Sequence, residues 1–249
     1  MAKKTKKQQV VASRLMAIVV LLSACAVVLF MLGGQNKLKN VEIECVNGTL
    51  DQAQKDEIIH SSTLKMGAQI GSLADIEQSI IAGVNSTGFA RYEGAERISN
   101  GTMKLIVSIR EPVAVLSLGG NYIVIDEDGM VIDISKTMPY GKGICVSGAE
   151  ASTYSKGKTL VTRKENQLKE IIRIASAIHK SGFESTYSEL NVKDVKDMYL
   201  ITNNNMYVEI FDGKNIEQTL LMVEEIIKSG VNKGKITISG DYAGLRQEN

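Results

Sequence analysis

Imidazoles, thiolates and clustered carboxylates build most hydrolytic and metal centres, and this chain has few of them. Among 249 residues there are two histidines, His60 and His179, and three cysteines, Cys25, Cys45 and Cys145. Neither histidine has a partner at metal-ligand spacing, and each falls near the end of a predicted helix, where a positive charge suits the dipole. Surface or capping roles fit them better than ligation. Cys45 shares the apolar side of an alternating run with Val41 and Ile43, so it reads as a buried free thiol, with a disulfide to Cys145 as the alternative. Asp126-Glu127-Asp128-Gly129 is an acidic cluster that could attract calcium. An EF-hand loop needs about twelve residues ending in a bidentate Glu, so a hairpin turn is the better reading. No Gly-x-Ser-x-Gly elbow, P-loop or dinucleotide fingerprint occurs. The chemistry therefore predicts a binding surface with no catalytic residue, no metal and no cofactor.

Composition points the same way. Hydrophobic residues make up 44% of the chain and aromatics 5%, with no tryptophan and a net charge of +1. That excludes a disordered charged tail and disfavours stacking of single-stranded bases, so nucleic acid is not expected; with no catalytic motif, no small-molecule substrate is expected either. The charge is unevenly placed: Lys3, Lys4, Lys6, Lys7 and Arg14 precede residue 35 with no acid, and the remaining 24 bases against 28 acids leave −4. Leu15 to Gly34 carries no charge. About 20 residues at about 1.5 Å each would cross the roughly 30 Å hydrocarbon core, which predicts a transmembrane helix. The basic residues before it predict a cytoplasmic N-terminus and an extracytoplasmic remainder. A cleaved signal peptide and a lipobox, Leu22-Ser23-Ala24-Cys25, are the competing readings; both are disfavoured by the apolar run continuing to Leu32. The sequons at Asn47, Asn85 and Asn100 would matter only in a eukaryotic secretory pathway.

The exterior part must be positioned by alternating strands and helices. Val41 to Val46 alternates as a half-buried strand; Asp51 to Ser61 reads as a short helix, and Leu73, Ile76, Ile80 and Val84 fall on one face of a second helix after Ser72. Phe89 to Ile98 is a weaker strand. Met103, Leu105, Val107 and Ile109 then alternate with Lys104, Ile106, Ser108 and Arg110, which aims one set at a core. Pro112 interrupts pairing before Val113 to Leu118 resumes it and marks a domain joint. Tyr122 to Ile125 and Met130 to Ile134 flank the acidic turn, closed by Gly129. Residues 135–163 read as loop with a short strand at Ile144 to Val146. Leu168, Ile171, Ile172, Ala175 and Ile178 make a third helix ending at Gly182. Strands follow at Tyr187 to Val192, Met198 to Thr202 and Met206 to Phe211. Asn215 with Gln218 resembles a capping box opening a fourth helix that stops at Gly230. Lys235 to Ser239 is the last strand expected. As a sheet edge it offers unpaired backbone groups to a partner strand, so Lys235, Ile236, Thr237, Ile238 and Ser239, with Tyr242 as an aromatic anchor, are the expected partner-binding residues.

The run Val107-Ser108-Ile109-Arg110-Glu111-Pro112-Val113-Ala114, followed by Tyr122-Ile123-Val124-Ile125-Asp126-Glu127-Asp128-Gly129, resembles the joint between the POTRA and β domains of the FtsQ/DivIB bacterial cell-division proteins. Val41 to Gly48 and Gly67 to Ile80 are similar to the start of the POTRA module, and Phe211-Asp212-Gly213 is weakly similar to the family's C-terminal pattern. The resemblance implies an α+β fold: a cytoplasmic tail (1–14), a transmembrane helix (15–34), a POTRA-like βααββ domain (38–111) and a mixed α/β C-terminal domain (112–249). Arg110, Glu111 and Pro112 would form the domain joint. It further implies a membrane-embedded, non-enzymatic scaffold at the division septum that engages FtsL-type and FtsB/DivIC-type proteins and helps regulate septal peptidoglycan synthesis. A POTRA-type component of a secretion system and an anchored cell-wall enzyme are the alternatives.

Overall fold

Strict alternation in residues 103–107 builds the first sheet. In the computed structural model, which describes residues 21–23, 37–69, 72–99, 101–211, 214–231 and 233–246, strand β1 (Asn40–Cys45) pairs in parallel with β3 (Thr102–Ile109). Val41 lies beside Met103 and Ile43 beside Leu105, and β2 (Ala90–Ser99) flanks β3 on its other side. Met103, Leu105 and Val107 are buried, as are Ile58 of helix α1 (Gln52–Ser61) and Ile80 of α2 (Leu73–Ser86). A capping box opens α1: Gln54 N donates to the Asp51 side chain at 2.8 Å, and Asp51 N donates to Gln54 Oε1 at 3.0 Å.

The chain divides into two units, Met1–Ile81 with Tyr92–Val107 and Ala82–Arg91 with Ser108–Asn249. The alternation of β3 changes sense at that boundary. Ile109, expected on the core side, is half-buried, whereas Ser108 and Arg110 are each 7% exposed. From Ser108 onward the chain serves the second unit, where Arg110 has a buried acid to meet.

The second unit is built on a nine-stranded sheet in the order β14-β13-β12-β11-β10-β7-β4-β5-β6. Its strands are β4 (Ala114–Leu118), β5 (Asn121–Ile125), β6 (Val131–Ser135), β7 (Ile144–Ser147), β10 (Tyr187–Asn191), β11 (Met198–Thr202), β12 (Tyr207–Ile210), β13 (Lys235–Ser239) and β14 (Tyr242–Arg246). Two short strands in the expected loop, β8 (Ala151–Thr153) and β9 (Val161–Thr162), pair with each other. Helix α3 (Gln167–Ser181) carries the chain from β7 to its parallel neighbour β10, and α4 (Ile216–Lys228) joins β12 to the parallel β13. Ile171, Ile174 and Ile178 of α3 and Leu220 and Val223 of α4 share one core with Leu116, Ile125, Val208, Ile236 and Ile238. The Asn215 capping box does not form: no side-chain oxygen of Asn215 accepts from the helix, and its Nδ2 donates to Gln218 Oε1 at 2.9 Å.

The structure corrects the expected fold class. It is α+β, but among the described residues no helix is long and apolar enough to cross a membrane. The longest, α3, has 15 residues and one apolar face, short of the roughly 20 apolar residues a span requires. Of the stretch 15–34 only Leu21–Ser23 is described, as helix; 15–20 and 24–34 lie outside the described residues.

Gly129 closes the hairpin at φ +72°, where a Cβ would stand 2.9 Å from Ile172 Cδ1, so the turn seats directly on α3. Gly120 has a similar φ of +76° with nothing within 4 Å. Gly120→Ala is expected to cost only the left-handed penalty of about 1–2 kcal/mol, and Gly129→Ala somewhat more because the side-chain ends of Ile172 and Leu168 must also give way. Urea unfolding of the two variants checks this; equal losses would mean the turn does not bear on the helix.

Candidate functional site

Arg110, Glu111 and Pro112 lie where β3 gives way to β4, and the structure makes Arg110 the centre of a buried polar cluster. Its side chain is 3% exposed and that of Asp126 is 0%. The guanidinium reaches four acceptors: Nε donates to Ala90 O at 3.1 Å, Nη2 to Asn85 Oδ1 at 2.8 Å, and Nη1 to Asp126 Oδ2 and, at 3.3 Å, Asp128 Oδ2. Asp126 is equally occupied. Its Oδ1 accepts from Asp128 N at 3.0 Å and Met130 N at 2.8 Å, and Arg91 Nη2 stands 3.6 Å from its Oδ2. The acidic run is thus a turn locked by two arginines, with the Asp126 oxygens already engaged. Sequence reading placed the turn; that its first Asp is buried against Arg110 is visible only once the strands pair.

Glu111 is exposed and its Oε2 lies 3.2 Å from His179 Nε2, while His179 Nδ1 lies 2.6 Å from Glu184 Oε1. Burial opposes a charge on this ring, but the hydrogen bonds and attraction of Glu111 and Glu184 outweigh it and hold His179 above its ordinary value of 6.5. Pro112 is half-buried, and Val113 N after it donates to Ile125 O at 2.9 Å. Cys45 and Cys145 are free and half-buried, so the disulfide alternative does not occur; burial, then Glu189, pushes the Cys145 thiol up. The absence of Ser-x-x-Lys, expected together with that of the other catalytic motifs, is corrected by the chain itself, which has this spacing at Ser62 to Lys65 and at Ser155 to Lys158. Ser62 is fully buried and its Oγ donates to Ile59 O at 2.8 Å, a helix-end role. Among the described residues no group of three or more His, Cys, Asp or Glu is placed to hold a metal.

The expected partner strand is not the edge. β13 lies between β12, paired in parallel through Val208–Ile236, and β14, paired antiparallel through Thr237–Gly244. Its backbone groups therefore serve its neighbours. Ile236 and Ile238 are fully buried in the core and cannot meet a partner. Lys235, Thr237 and Ser239 point to the side away from the helices, where Lys235 Nζ pairs with Glu209 Oε1. Tyr207, beside Lys235, is half exposed and packs at 5.5 Å and 47° against Tyr199.

The strand that was missed is β14. Gly240, at φ +60°, turns the chain after Ser239, and Ala243 and Leu245 then pack on the core while Tyr242, Gly244 and Arg246 are exposed. The sequence carries this signal in Ser239-Gly240-Asp241 followed by alternation from Tyr242 to Arg246. No strand among the described residues pairs with the outer side of β14, and Tyr242 there is 76% exposed. The opposite edge is partly closed, since Val131 N donates to Lys158 O at 2.9 Å and Gly157 N to Val131 O at 2.8 Å. No protein-family model matches the chain, and no curated protein does.

Arg110→Met strands Asp126 in the interior and is expected to cost about 3–5 kcal/mol in chemical denaturation. Arg110→Lys should recover less than half, because one ammonium cannot meet acceptors on several sides of a planar fork; full recovery would show that charge alone matters. The raised His179 value gives a second expectation. Its stabilisation is complete below the unfolded pKa of about 6.5 and is lost as pH rises through the higher folded value. His179→Ala should flatten that part of the pH–stability curve, and an unchanged slope would exclude the contact with Glu111 and Glu184 as its source.

Proposed function

We propose that this protein is a non-enzymatic scaffold of bacterial cell division, of the FtsQ/DivIB type, acting at the septum outside the cytoplasm. Its second unit receives a segment of an FtsB/DivIC-type partner, itself associated with an FtsL-type protein, and through them bears on septal peptidoglycan synthesis. The observation that carries this reading is the open edge of β14 beside an exposed Tyr242. An edge strand offers backbone donors and acceptors at regular spacing, which an extended segment meets without side-chain complementarity, while neighbouring side chains supply selectivity. Tyr242 on β14 and Lys235 on β13 would supply that selectivity. The division role is supported by the likeness of residues 107–114 and 122–129 to the family's joint. There the Arg110–Asp126 pair gives a physical reason for the two halves of the motif to occur together.

Purified protein and an FtsB/DivIC-type partner from the same cell provide the test. Tyr242→Ala is expected to weaken capture by about tenfold, and deletion of residues 242–249 to abolish it, with both variants checked for a native circular dichroism spectrum. Folded variants that bind like the parent would overturn the placement. A fluorescent fusion spread evenly around dividing cells would overturn the division role.

A further inference from the structure

We propose that two copies of this chain pair through β14, antiparallel and in a single register, so that each copy closes the free edge of the other. Which groups of β14 face outward follows from its hairpin. Ser239 and Tyr242 lie opposite each other across a two-residue turn, with Gly240 at φ +60°. The pair that closes such a turn exchanges backbone bonds, and inward and outward groups then alternate along the strand. Tyr242, Gly244 and Arg246 therefore turn their N–H and C=O toward β13, while Ala243 and Leu245 turn theirs to the open side.

This edge is complementary to itself. A two-fold axis across it requires an antiparallel pair. Centred on Gly244, the axis joins Ala243 of one copy to Leu245 of the other on both sides, and every outward group of the two residues finds a partner. Centring on Ala243 would set Leu245 against the turn residue Asp241, and centring on Leu245 would set Ala243 beyond Arg246. The side chains select the same register. Tyr242, 76% exposed, comes opposite Arg246 of the second copy, an aromatic ring against a cation. Arg246 is exposed beside Lys235, whose ammonium is already held by Glu209, and among the described residues no acid pairs with Arg246. The two Arg246 residues stand at opposite ends of the pair, about 14 Å apart at about 3.4 Å per residue, beyond the screening length of about 8 Å. On the helix face the half-buried Ala243 and Leu245 would cover each other. Such a contact uses the same patch on both copies, so it closes the edge and does not propagate. A segment of an FtsB/DivIC-type partner carrying an acid for Arg246 would meet that cation better than Tyr242 does and would displace the second copy. Self-pairing needs only the open edge; the displacement rests on the proposed function.

Disulfide mapping of the full chain, with Cys25, Cys45 and Cys145 replaced by Ser, tests the register. A Cβ at Gly244 meets nothing within 4 Å, so Gly244→Cys fits the strand, and two such thiols on the axis face each other at disulfide distance. Oxidation with copper phenanthroline at rising protein concentration is expected to give a covalent dimer of Gly244→Cys. It should also give a mixed dimer when Tyr242→Cys and Arg246→Cys chains are combined, and none from either of those alone. Ala243→Pro removes an outward N–H that β13 does not use, and in the Gly244→Cys chain it should abolish the cross-link while the circular dichroism spectrum stays native. Gly244→Cys chains that remain monomeric, or equal cross-linking of all three single variants, would overturn the proposal. Adding an FtsB/DivIC-type protein separates the two readings. Suppression of the cross-link supports both. A partner that binds while the cross-link persists leaves self-pairing standing and overturns its own placement on β14. Capture weakened by Tyr242→Ala, with no Gly244→Cys dimer, overturns self-pairing alone.

Discussion

The Arg110 guanidinium holds together stretches of chain that sequence separates by up to 43 positions, from Asn85 and Ala90 to Asp126 and Asp128. Burying an arginine and an aspartate costs several kcal/mol per ion. It is tolerated only when mutual attraction is joined by hydrogen bonds to every remaining polar atom. Both conditions are met here: Asp126 takes backbone N–H groups on one oxygen and arginine on the other, while Arg110 uses Nε, Nη1 and Nη2. Such a cluster adds little net stability over an apolar core of the same shape. What it adds is geometry, because the arrangement of the turn is the one that satisfies Arg110 and Asp126 together.

That geometry propagates into the second unit. The turn is held by Arg110 and Arg91 on one side and lies against Leu168 and Ile172 of α3 at Gly129 on the other. The position of α3 over the sheet is therefore tied to a polar cluster as well as to its apolar stripe. Gln167 adds a similar tie at the helix start, accepting from Glu150 N at 3.0 Å and donating to Gly148 O at 3.2 Å and Val192 O at 2.8 Å. The sheet can then extend toward β14 from a fixed centre.

The parts legible in the sequence were those governed by local periodicity. The helix of Leu168 to Ile178, its stop at Gly182 and the strands at residues 198–202 and 235–239 need only a repeat and a terminator. The parts missed depend on distant partners. Arg110 alternates like a solvent-facing residue of β3, and nothing near it in sequence marks Asp126 as its counter-ion. β14 is short and contains Gly244, so its strand propensity is weak; pairing with β13 makes it a strand. Asn215 and Gln218 have capping-box spacing, but the two side chains bond to each other instead of to the backbone. The long apolar stretch is legible as composition, yet it lies mostly outside the described residues, and no described helix repeats its character.

Placing β14 outside β13 separates two roles that one edge strand would have combined. An edge strand at Lys235 to Ser239 would have offered its backbone and its side chains together, and Ile236 and Ile238 would have been half available. In the structure those isoleucines are sealed in the core, so the side chains of β13 open to solvent are Lys235, Thr237 and Ser239. Backbone pairing falls to β14, where Gly244 leaves the outward face low between Tyr242 and Arg246. A segment added there would lie beside an aromatic at one end and a cation at the other. The Lys235–Glu209 pair lies one or two strands further in. Backbone bonds are nearly indifferent to sequence, so discrimination among partners would rest on those few side chains: an apolar or aromatic residue opposite Tyr242 and an acid toward Arg246 are the complementary choices.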